Sequence, residues 1–585
     1  MKKIQLIRYI TAVACLGMML TSCKKDFLEK KPLTEFREED VWKDAGLVQA
    51  FVNDLYVQMR PGFNEVMLAS MSDESRFIHD YNTSRVVQGN VTPDDFGALG
   101  DFSRWEGHYK AIRNCNMFLE KVDSVPFTDE NQRTRMKGEV HFMRAWYYHM
   151  LVKYFGGVPL ITKTFKVKGD EAEILQIKRA TYEQCVQFIV AECETATRLL
   201  PRSYDAIAHK DRVTKGAAMA LKSRVLLYAA SDQFNLGVRS PLMGYMDAGG
   251  QQARFILAMQ AAKAIIDSNY YQLYHPTDSA AENYSRVFLD KDNAELIFVK
   301  KYDKALLGTS HDIYNGPNGY HNWGGNVPLE NFVEGYQMKD GTPFSRANPE
   351  QAAHPYNNRD PRFYATVLYD GAKWKQRPKD GIEADPIGVI QTGKYESARP
   401  GQDSVWGLDT RNSPIENWNG TFSGYYLRKF MDINLDAQFF RGDQSWIFFR
   451  YAEVLLNYAE ACIWSGNEGE GIKALNAVRT RAGMPAIQAS GAALKALYKY
   501  ERRYELAFEE HRFFDARRWK QDAYSAFSGD AQGIEVLGSQ IKGHPFIYRV
   551  ISIQSRKCEE QDLLLPIPAS EIRKNANLEQ QVTYR

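Results

Sequence analysis

Apolar side chains recur at helical spacing over two long stretches of this chain, and that periodicity commits most of it to α-helices. In the first stretch, residues 41–271, an apolar stripe runs from Met143 to Tyr154 and stops at Gly156, with Pro159 just beyond. A glycine followed closely by a proline is the usual end of a helix. We therefore predict a helical N-terminal region.

The second stretch, residues 445–585, has the same character. A stripe from Ala452 to Ile463 is broken at Gly466, and a further helix is predicted over Gly471–Arg481. Helix-turn-helix units of about 34–40 residues resemble tetratricopeptide repeats, whose consensus positions are partly met here. The predicted fold class is mainly α, with a tetratricopeptide-like scaffold of paired helices.

Between these stretches, residues 272–444 are rich in Gly, Asn, Pro and Tyr, and helical periodicity fades. Short strand-like runs occur at Glu295–Val299 and Ala365–Tyr369. We expect a loop-rich region with short strands. Loops held on a rigid scaffold are frequent carriers of binding residues.

The N-terminus has the pattern of an export signal. Lys2, Lys3 and Arg8 precede the apolar run Tyr9–Leu20, which is short for a membrane span. The run ends in Leu20-Thr21-Ser22-Cys23, which resembles a bacterial lipobox. We expect a signal peptide at 1–22, lipid modification of Cys23 and a tether at 23–40, so that acyl chains would hold the protein at a membrane.

Composition excludes some partners. The chain of 585 residues has 74 Lys+Arg against 72 Asp+Glu, without long runs of one sign, so no nucleic acid partner is expected. A mean hydropathy of −0.46 excludes a polytopic membrane protein. The near-neutral charge disfavours a dedicated polyanion site, unless basic residues gather locally. Aromatic residues make up 13% of the chain, which is more than a core alone obviously needs. Some of these flat apolar side chains are therefore available for other roles.

Seven motifs occur in order along the chain. They are Asp26–Glu29, Arg144–Tyr148 with Phe155–Leu160, Asn358–Phe363, Arg450–Ala461, Leu475–Gly483, Glu501–Leu506 with Asp515–Trp519, and Leu565–Pro568. Together they resemble the SusD/RagB family. One departure lies at 575–578, where the family pattern Asn-Pro-x-Leu reads Asn-Ala-Asn-Leu.

The resemblance implies a SusD-like fold and a lipid-anchored, surface-exposed protein of the outer membrane. It implies capture of an oligosaccharide or polysaccharide and delivery to a SusC-like TonB-dependent transporter. Capture of protein or peptide is the alternative within the family, while a glycoside hydrolase or a purely structural lid belongs to other classes. No catalytic residue, metal or cofactor is expected, and because the motifs lie in the scaffold they do not identify the sugar.

A sugar site needs flat aromatic faces together with a few polar groups that bind hydroxyls. Residues 308–326 offer both, and their glycines argue against a helix. The candidate plates are Tyr314, Tyr320 and Trp323, and the candidate polar partners are His311, Asp312, Asn315, Asn318, His321 and Asn322. The alternative for Trp323 is a plug that anchors the loop.

Residues 73–102 form a second candidate stretch, because the resemblance implies that this part often contributes to the glycan site. The residues concerned are Asp73, Arg76, Tyr81, Asn82 and Arg85. A third set consists of Trp374, Trp406 and Trp418 in the loop-rich region. We include Trp418 among the predicted ligand contacts.

Catalytic interpretations are weaker. The charged helix predicted over Glu501–Lys520 is interpreted as a ladder of ion pairs. His141 and His149 are eight positions apart, which does not suit a shared metal. Asp73-Glu74 or Asp94-Asp95 could supply glycosidase carboxylates, but adjacency in sequence does not establish the required separation.

Overall fold

The computed structural model describes residues 38–166, 168–205, 209–399, 401–435, 441–541 and 544–584. The predicted signal peptide, Cys23 and most of the predicted tether lie outside these residues. None of the helices in these ranges combines the length and the apolar character needed to cross a membrane.

Ten helices of ten or more residues dominate the described ranges. They are α1 (Ala45–Gln58), α2 (Trp105–Lys121), α3 (Glu130–Phe155), α4 (Tyr182–Leu199), α5 (Lys215–Ala230), α6 (Gln251–Asp267), α7 (Ala280–Leu289), α8 (Tyr451–Ser465), α9 (Glu468–Arg481) and α10 (Gly491–Glu505). Shorter helices lie at Glu38–Val41, Thr83–Val87, Gly100–Ser103, Glu171–Ile174, His311–Asn315, Glu330–Glu334, Pro349–Ala353, Pro361–Thr366, Arg512–Arg518, Gln521–Ala526 and Ala569–Lys574.

Local sequence explains where the long helices begin and end. The Thr181 side chain accepts a hydrogen bond from Gln184 N and forms a capping box before α4. Helix α3 ends at Gly156, whose φ of 72° suits glycine, and α8 ends at Gly466 with φ of 91°. Both ends confirm the predictions, whereas α9 starts three residues before the predicted Gly471.

The strands are short except for one C-terminal hairpin. They are β1 (Ser75–Phe77), β2 (Leu296–Lys300), β3 (Asn326–Pro328), β4 (Val367–Leu368), β5 (Lys394–Glu396), β6 (Ser404–Trp406), β7 (Tyr426–Leu427), β8 (Trp446–Arg450), β9 (Gly529–Ser539) and β10 (Ile547–Arg556). Two-stranded antiparallel pairs join β1 to β3, β2 to β8 and β4 to β7, and a four-stranded sheet has the order β10-β9-β5-β6.

The helices pack mainly against their sequence neighbours, as the predicted helical pairs require: α3 on α4, α4 on α5, α5 on α6 and α8 on α9. Helix α8 also packs on α6, which joins the N-terminal and C-terminal helices into one scaffold. One apolar core runs from Trp42 to Ile567 and includes residues of the loop-rich region. The fold is therefore mainly α with short strands, as predicted.

Three local predictions need correction. The stretch Ala365–Tyr369 forms only the two-residue strand β4, because Pro361 opens a helix that Asp360 caps through Arg362 N. The helix predicted over Glu501–Lys520 is broken, since Phe508 and Glu510 adopt positive φ between α10 and Arg512–Arg518. The C-terminal stretch predicted as helical also contains the β9–β10 hairpin.

Candidate functional site

Pairing of β1 with β3 brings the two predicted candidate stretches together. Phe77 lies opposite Asn326 in this antiparallel pair, and Ile78 N donates to the Gly325 carbonyl at 2.9 Å. Asn326 extends the connection, because its side-chain oxygen accepts from Met67 N at 2.9 Å. Residues 73–82 and 308–326 therefore form one surface, although they are far apart in sequence.

A third segment, residues 416–420, joins this surface. His79 Nε2 lies 3.0 Å from Asn419 Oδ1. On the other side, a Cβ at Gly324 would stand 2.4 Å from the Asn419 carbonyl oxygen, so only glycine allows this approach. Trp418 is thereby fixed beside the two candidate stretches.

Three rings line up at this junction, and we call Tyr81, His79 and Trp418 the aromatic platform. The His79 ring stacks on Trp418 at 5.9 Å with 20° between planes, and on Tyr81 at 6.0 Å with 28°. Trp418 is 71% exposed and Tyr81 55% exposed, so both residues are accessible to solvent. The buried Phe77 ring packs against Tyr81, with 5.2 Å between the ring centroids. Large apolar side chains are normally buried, so a group of neighbouring exposed rings indicates a binding surface rather than core packing.

The backbone beneath Tyr81 is held in an unusual conformation. Asp80, Tyr81 and Asn82 have φ of 68°, 43° and 63°, a left-handed run without any glycine. The Asp80 carboxylate stabilises it by accepting from Ser84 N at 2.7 Å and from the Ser84 hydroxyl at 2.8 Å. Strain of this kind persists where the surrounding structure enforces it, frequently at ligand sites.

Within residues 308–326 the structure separates the candidates. Tyr314 and Trp323 are half-buried and pack against each other, with 5.2 Å between their ring centroids. Gly324, which follows Trp323, lies against the Asn419 carbonyl, beside Trp418. Tyr320 is fully buried, donates to the Lys375 carbonyl at 2.9 Å and lies under Arg377. Tyr320 therefore has no face open to a ligand, and its prediction as an open plate is corrected.

The polar groups of this loop are largely engaged in holding it. Asn322 is buried, and His321 pairs with Asp380 at 2.7 Å. The buried Asn318 donates to the Thr410 carbonyl, and burial lowers the pKa of His311 to about 4. Contrary to expectation, short helices occur at His311–Asn315 and at 318–320. The polar side chains that we predicted as ligand contacts therefore mainly form hydrogen bonds and ion pairs within the protein.

The candidates of the second stretch also divide. Asp73 is buried and pairs with Arg512 at 2.7 Å and Arg503 at 2.8 Å. Burial alone would raise the pKa of Asp73, but these two guanidinium groups lower it to about 2. Asp73 is therefore a structural ion-pair partner. On the surface, Arg85 pairs with Asp95 at 2.9 Å, and Asn82 is exposed beside Tyr81.

The remaining tryptophans lie outside the platform. Trp374 is buried, while Trp406 is 44% exposed on β6 with its ring 5.2 Å from Lys394 Nζ. A cleft of about 830 Å³ lies between α6, α8 and α10. It is lined by Trp464 and mostly by polar side chains such as Lys499, which pairs with Asp522.

Sequence reasoning missed His79 and Asn419. A signal for His79 existed, because Phe77, His79 and Tyr81 are rings at alternating positions and alternation places side chains on one face of an extended segment. No local signal pointed to Asn419, whose contact with His79 depends on the fold.

Residues 294–584 match the model of the SusD family, and residues 26–227 match a model described as "Starch-binding associating with outer membrane". A SusD-like protein from Bacteroides fragilis has the same fold, with a TM-score of 0.75 and 28% identity over 95% of this chain and 100% of that chain.

The chain belongs to the SusD family. Among SusD relatives, SusD-like protein P38 of Formosa agariphila is 22% identical, covering 86% of this chain and 88% of its own. A SusD-like carbohydrate-binding protein from Bacteroides fragilis superposes with a TM-score of 0.72 at 24% identity, over 92% of this chain and 99% of that chain. The SusD fold thus extends over nearly the whole chain.

Proposed function

We propose that this SusD-family protein binds a glycan at the cell surface by stacking sugar rings on the aromatic platform. The observation that carries the proposal is the array of Tyr81, His79 and Trp418, in which Tyr81 and Trp418 are exposed and His79 is half-buried. The C–H faces of pyranose rings are apolar and match flat aromatic surfaces, while their hydroxyls need polar partners at the edge. Asn82 is exposed beside the platform and offers an amide for that purpose.

The relatives support a carbohydrate ligand. One of the similar Bacteroides fragilis structures is described as a carbohydrate-binding protein, and the model matched by the N-terminal part is described as starch-binding. Trp323 and Tyr314 lie next to the platform and would extend the contact to a further ring.

Binding without hydrolysis is the function we infer for the site. Three of the four candidate carboxylates pair with arginines: Asp73 with Arg512, Asp94 with Arg573 at 3.1 Å, and Asp95 with Arg85. The fourth, Glu74, is 1% exposed and accepts from Phe508 N, so it does not face a ligand at the surface. A general acid must keep a protonated carboxyl beside the glycosidic oxygen, and ion pairing with arginine opposes this. Released reducing sugar would overturn this part.

We further propose that Cys23 carries the lipid anchor and that the bound glycan passes to a SusC-like TonB-dependent transporter. The lipobox pattern supports the anchor, and the matched family description, which includes association with the outer membrane, supports the location. Labelling with a radioactive fatty acid, lost in Cys23→Ser, tests the anchor. Copurification of a TonB-dependent barrel with the tagged protein tests the partnership.

The direct test is affinity electrophoresis of the purified chain through gels containing plant, fungal and host polysaccharides. We expect one glycan to retard the protein and Trp418→Ala to weaken binding about tenfold, which corresponds to ~1.4 kcal/mol. The matched control is Trp406→Ala, which removes an exposed tryptophan outside the platform.

The outcomes separate the alternatives. Equal loss in both variants would mean that general surface hydrophobicity drives retardation. If the Trp418→Ala variant is still retarded as strongly as the wild type, the glycan site lies elsewhere. Failure of every glycan, with binding of peptides instead, would favour the peptide-capturing alternative.

A further inference from the structure

Two arginines near the aromatic platform contact one phenylalanine ring. The Arg76 guanidinium carbon lies 4.2 Å from the centroid of the Phe422 ring, and that of Arg411 lies 4.0 Å from the same centroid. Arg411 Nη1 donates to the Gly420 carbonyl at 3.2 Å, two residues after Trp418. Arg76 lies on β1, immediately before Phe77, which supports Tyr81.

A third arginine, Arg556, lies near Arg76 in the interior. Arg556 is buried, and its guanidinium donates to the Ser72 carbonyl and, at 2.9 Å, to the Ser75 carbonyl. Burial lowers the pKa of Arg556 to about 10, with the charge of Arg76 acting in the same direction and Asp73 against it. We call Arg76, Arg411 and Arg556 the arginine row.

The positive charge of the row is not neutralised by direct pairing. Within the described ranges none of its members forms an ion pair, whereas most buried arginines of this protein do, as Arg362 and Arg450 illustrate. Arg76 Nη1 donates only to the Ile553 carbonyl at 2.8 Å, and its buried Nε has no hydrogen-bond partner there. Burial first and the charge of Arg411 second lower the pKa of Arg76, with Asp80 opposing.

Two carboxylates lie nearby and are already engaged. Asp80 accepts from Ser84 and Thr83, and Glu416 accepts from Trp418 N and Asn419 N. Neither is within ion-pair distance of the row. Arg76 is half-buried and Arg556 is buried, and like charges held there without a carboxylate partner are costly. A bound anion relieves that cost.

We infer that Arg76 and Arg411, backed by Arg556, form a subsite for the carboxylate or sulfate groups of an anionic glycan whose rings stack on the aromatic platform. The inference rests on the proposed glycan-binding function. Guanidinium groups bind carboxylate and sulfate oxygens through paired N–H donors, which gives both affinity and orientation. The near-neutral total charge of the chain therefore hides a local basic site.

The test compares ligands that share one backbone. Calorimetric titrations of the purified full chain would use dextran, carboxymethyl-dextran and dextran sulfate, at two salt concentrations. The variants are Arg411→Gln, which changes an exposed side chain, Arg76→Gln, and the control Arg113→Gln on the exposed surface of α2.

We expect the anionic forms to bind at least about tenfold more tightly than dextran at low salt, and the advantage to shrink as salt rises. Arg411→Gln is expected to reduce the ratio of anionic to neutral affinity about tenfold, while Arg113→Gln leaves it unchanged. A preference for the carboxymethyl form identifies a uronic-acid type of ligand, and a preference for the sulfate form identifies a sulfated one.

Three results would overturn the inference while leaving glycan binding intact: equal affinity for all three polymers, an anionic preference unchanged in Arg411→Gln, or failure of all three polymers while a neutral polysaccharide of the wider panel binds. Failure of all three polymers and of every polysaccharide in the wider panel would overturn the proposed function, and this inference with it. If Arg76→Gln does not fold, Arg411→Gln still decides the question.

Discussion

At the scale of single residues, the platform depends on a costly backbone. Three consecutive residues that are not glycine have positive φ, and each left-handed residue costs about 1–2 kcal/mol relative to a right-handed one, less for Asn and Asp. The hydrogen bonds from Ser84 and Thr83 to Asp80 offset part of this cost. This backbone conformation leaves the Tyr81 side chain exposed to solvent.

Position 82 tests that interpretation. Asn82→Gly is expected to keep or slightly raise the melting temperature, because glycine accepts φ of 63° without strain. Asn82→Val is expected to lower the free energy of unfolding by about 1–2 kcal/mol and to weaken glycan binding, because a β-branched residue resists this conformation. Thermal denaturation and affinity electrophoresis measure the two effects. Equal stability of both variants would contradict the strain argument.

At the scale of elements, the site is a junction of three segments. The β1–β3 pair fixes residues 73–82 against 326–328, and Gly324 allows residues 416–420 to approach. These contacts are few, but each joins segments that are distant in sequence. Their loss should separate the rings without unfolding the scaffold, whose helices are packed elsewhere.

Gly324→Ala tests the junction. Its Cβ would meet the Asn419 carbonyl oxygen at 2.4 Å, so the segment that carries Trp418 must shift. We expect glycan affinity to fall and the melting temperature to fall modestly. The matched control is Gly371→Ala, which has φ of 86° and nothing within 4 Å of the added Cβ. If both variants bind alike, close packing at Gly324 does not position the site.

At the scale of the whole molecule, buried charges connect the two ends of the chain. Asp73 pairs with Arg512, and its neighbour Glu74 accepts from Phe508 N at 3.1 Å. Deeper in the core, burial would raise the pKa of Glu505, but Arg481, Arg450 and Arg362 lower it to about 2. These contacts hold the N-terminal site segment on the C-terminal helices.

Adjacent Asp73 and Glu74 should respond oppositely to pH. The lowered pKa of Asp73, about 2, adds stability that is present above about pH 4 and is lost as the pH falls toward 2. Burial, and then the charge of Asp73, raise the pKa of Glu74 to about 8. The folded state therefore retains a proton that the unfolded state releases, and stability falls as the pH rises from about 4.5 to 8.

Glu74→Gln is expected to remove that fall, because the amide is neutral at every pH. Melting temperatures measured from about pH 5 to 8 should decline less in the variant than in the wild type. Glu106→Gln, on the exposed surface of α2, is the control and should keep the wild-type slope. An unchanged slope in Glu74→Gln would contradict a protonated Glu74.

Sequence patterns alone predicted most of the long helices, the ends of α3 and α8 at Gly156 and Gly466, the mainly helical fold and the family, because caps, periodicity and motifs act over a few residues. They did not predict α7, which lies in the stretch where helical periodicity fades. The sequence also pointed to Tyr81, Trp323 and Trp418 as aromatic candidates, whose contact with a ligand stays a prediction. Which of these side chains stay accessible depends on the tertiary fold: both Tyr320 and Tyr81 were aromatic candidates, yet Tyr320 is fully buried and Tyr81 is 55% exposed. The physical reason is that burial and ion pairing depend on segments hundreds of residues apart, and no local pattern records which of them will meet.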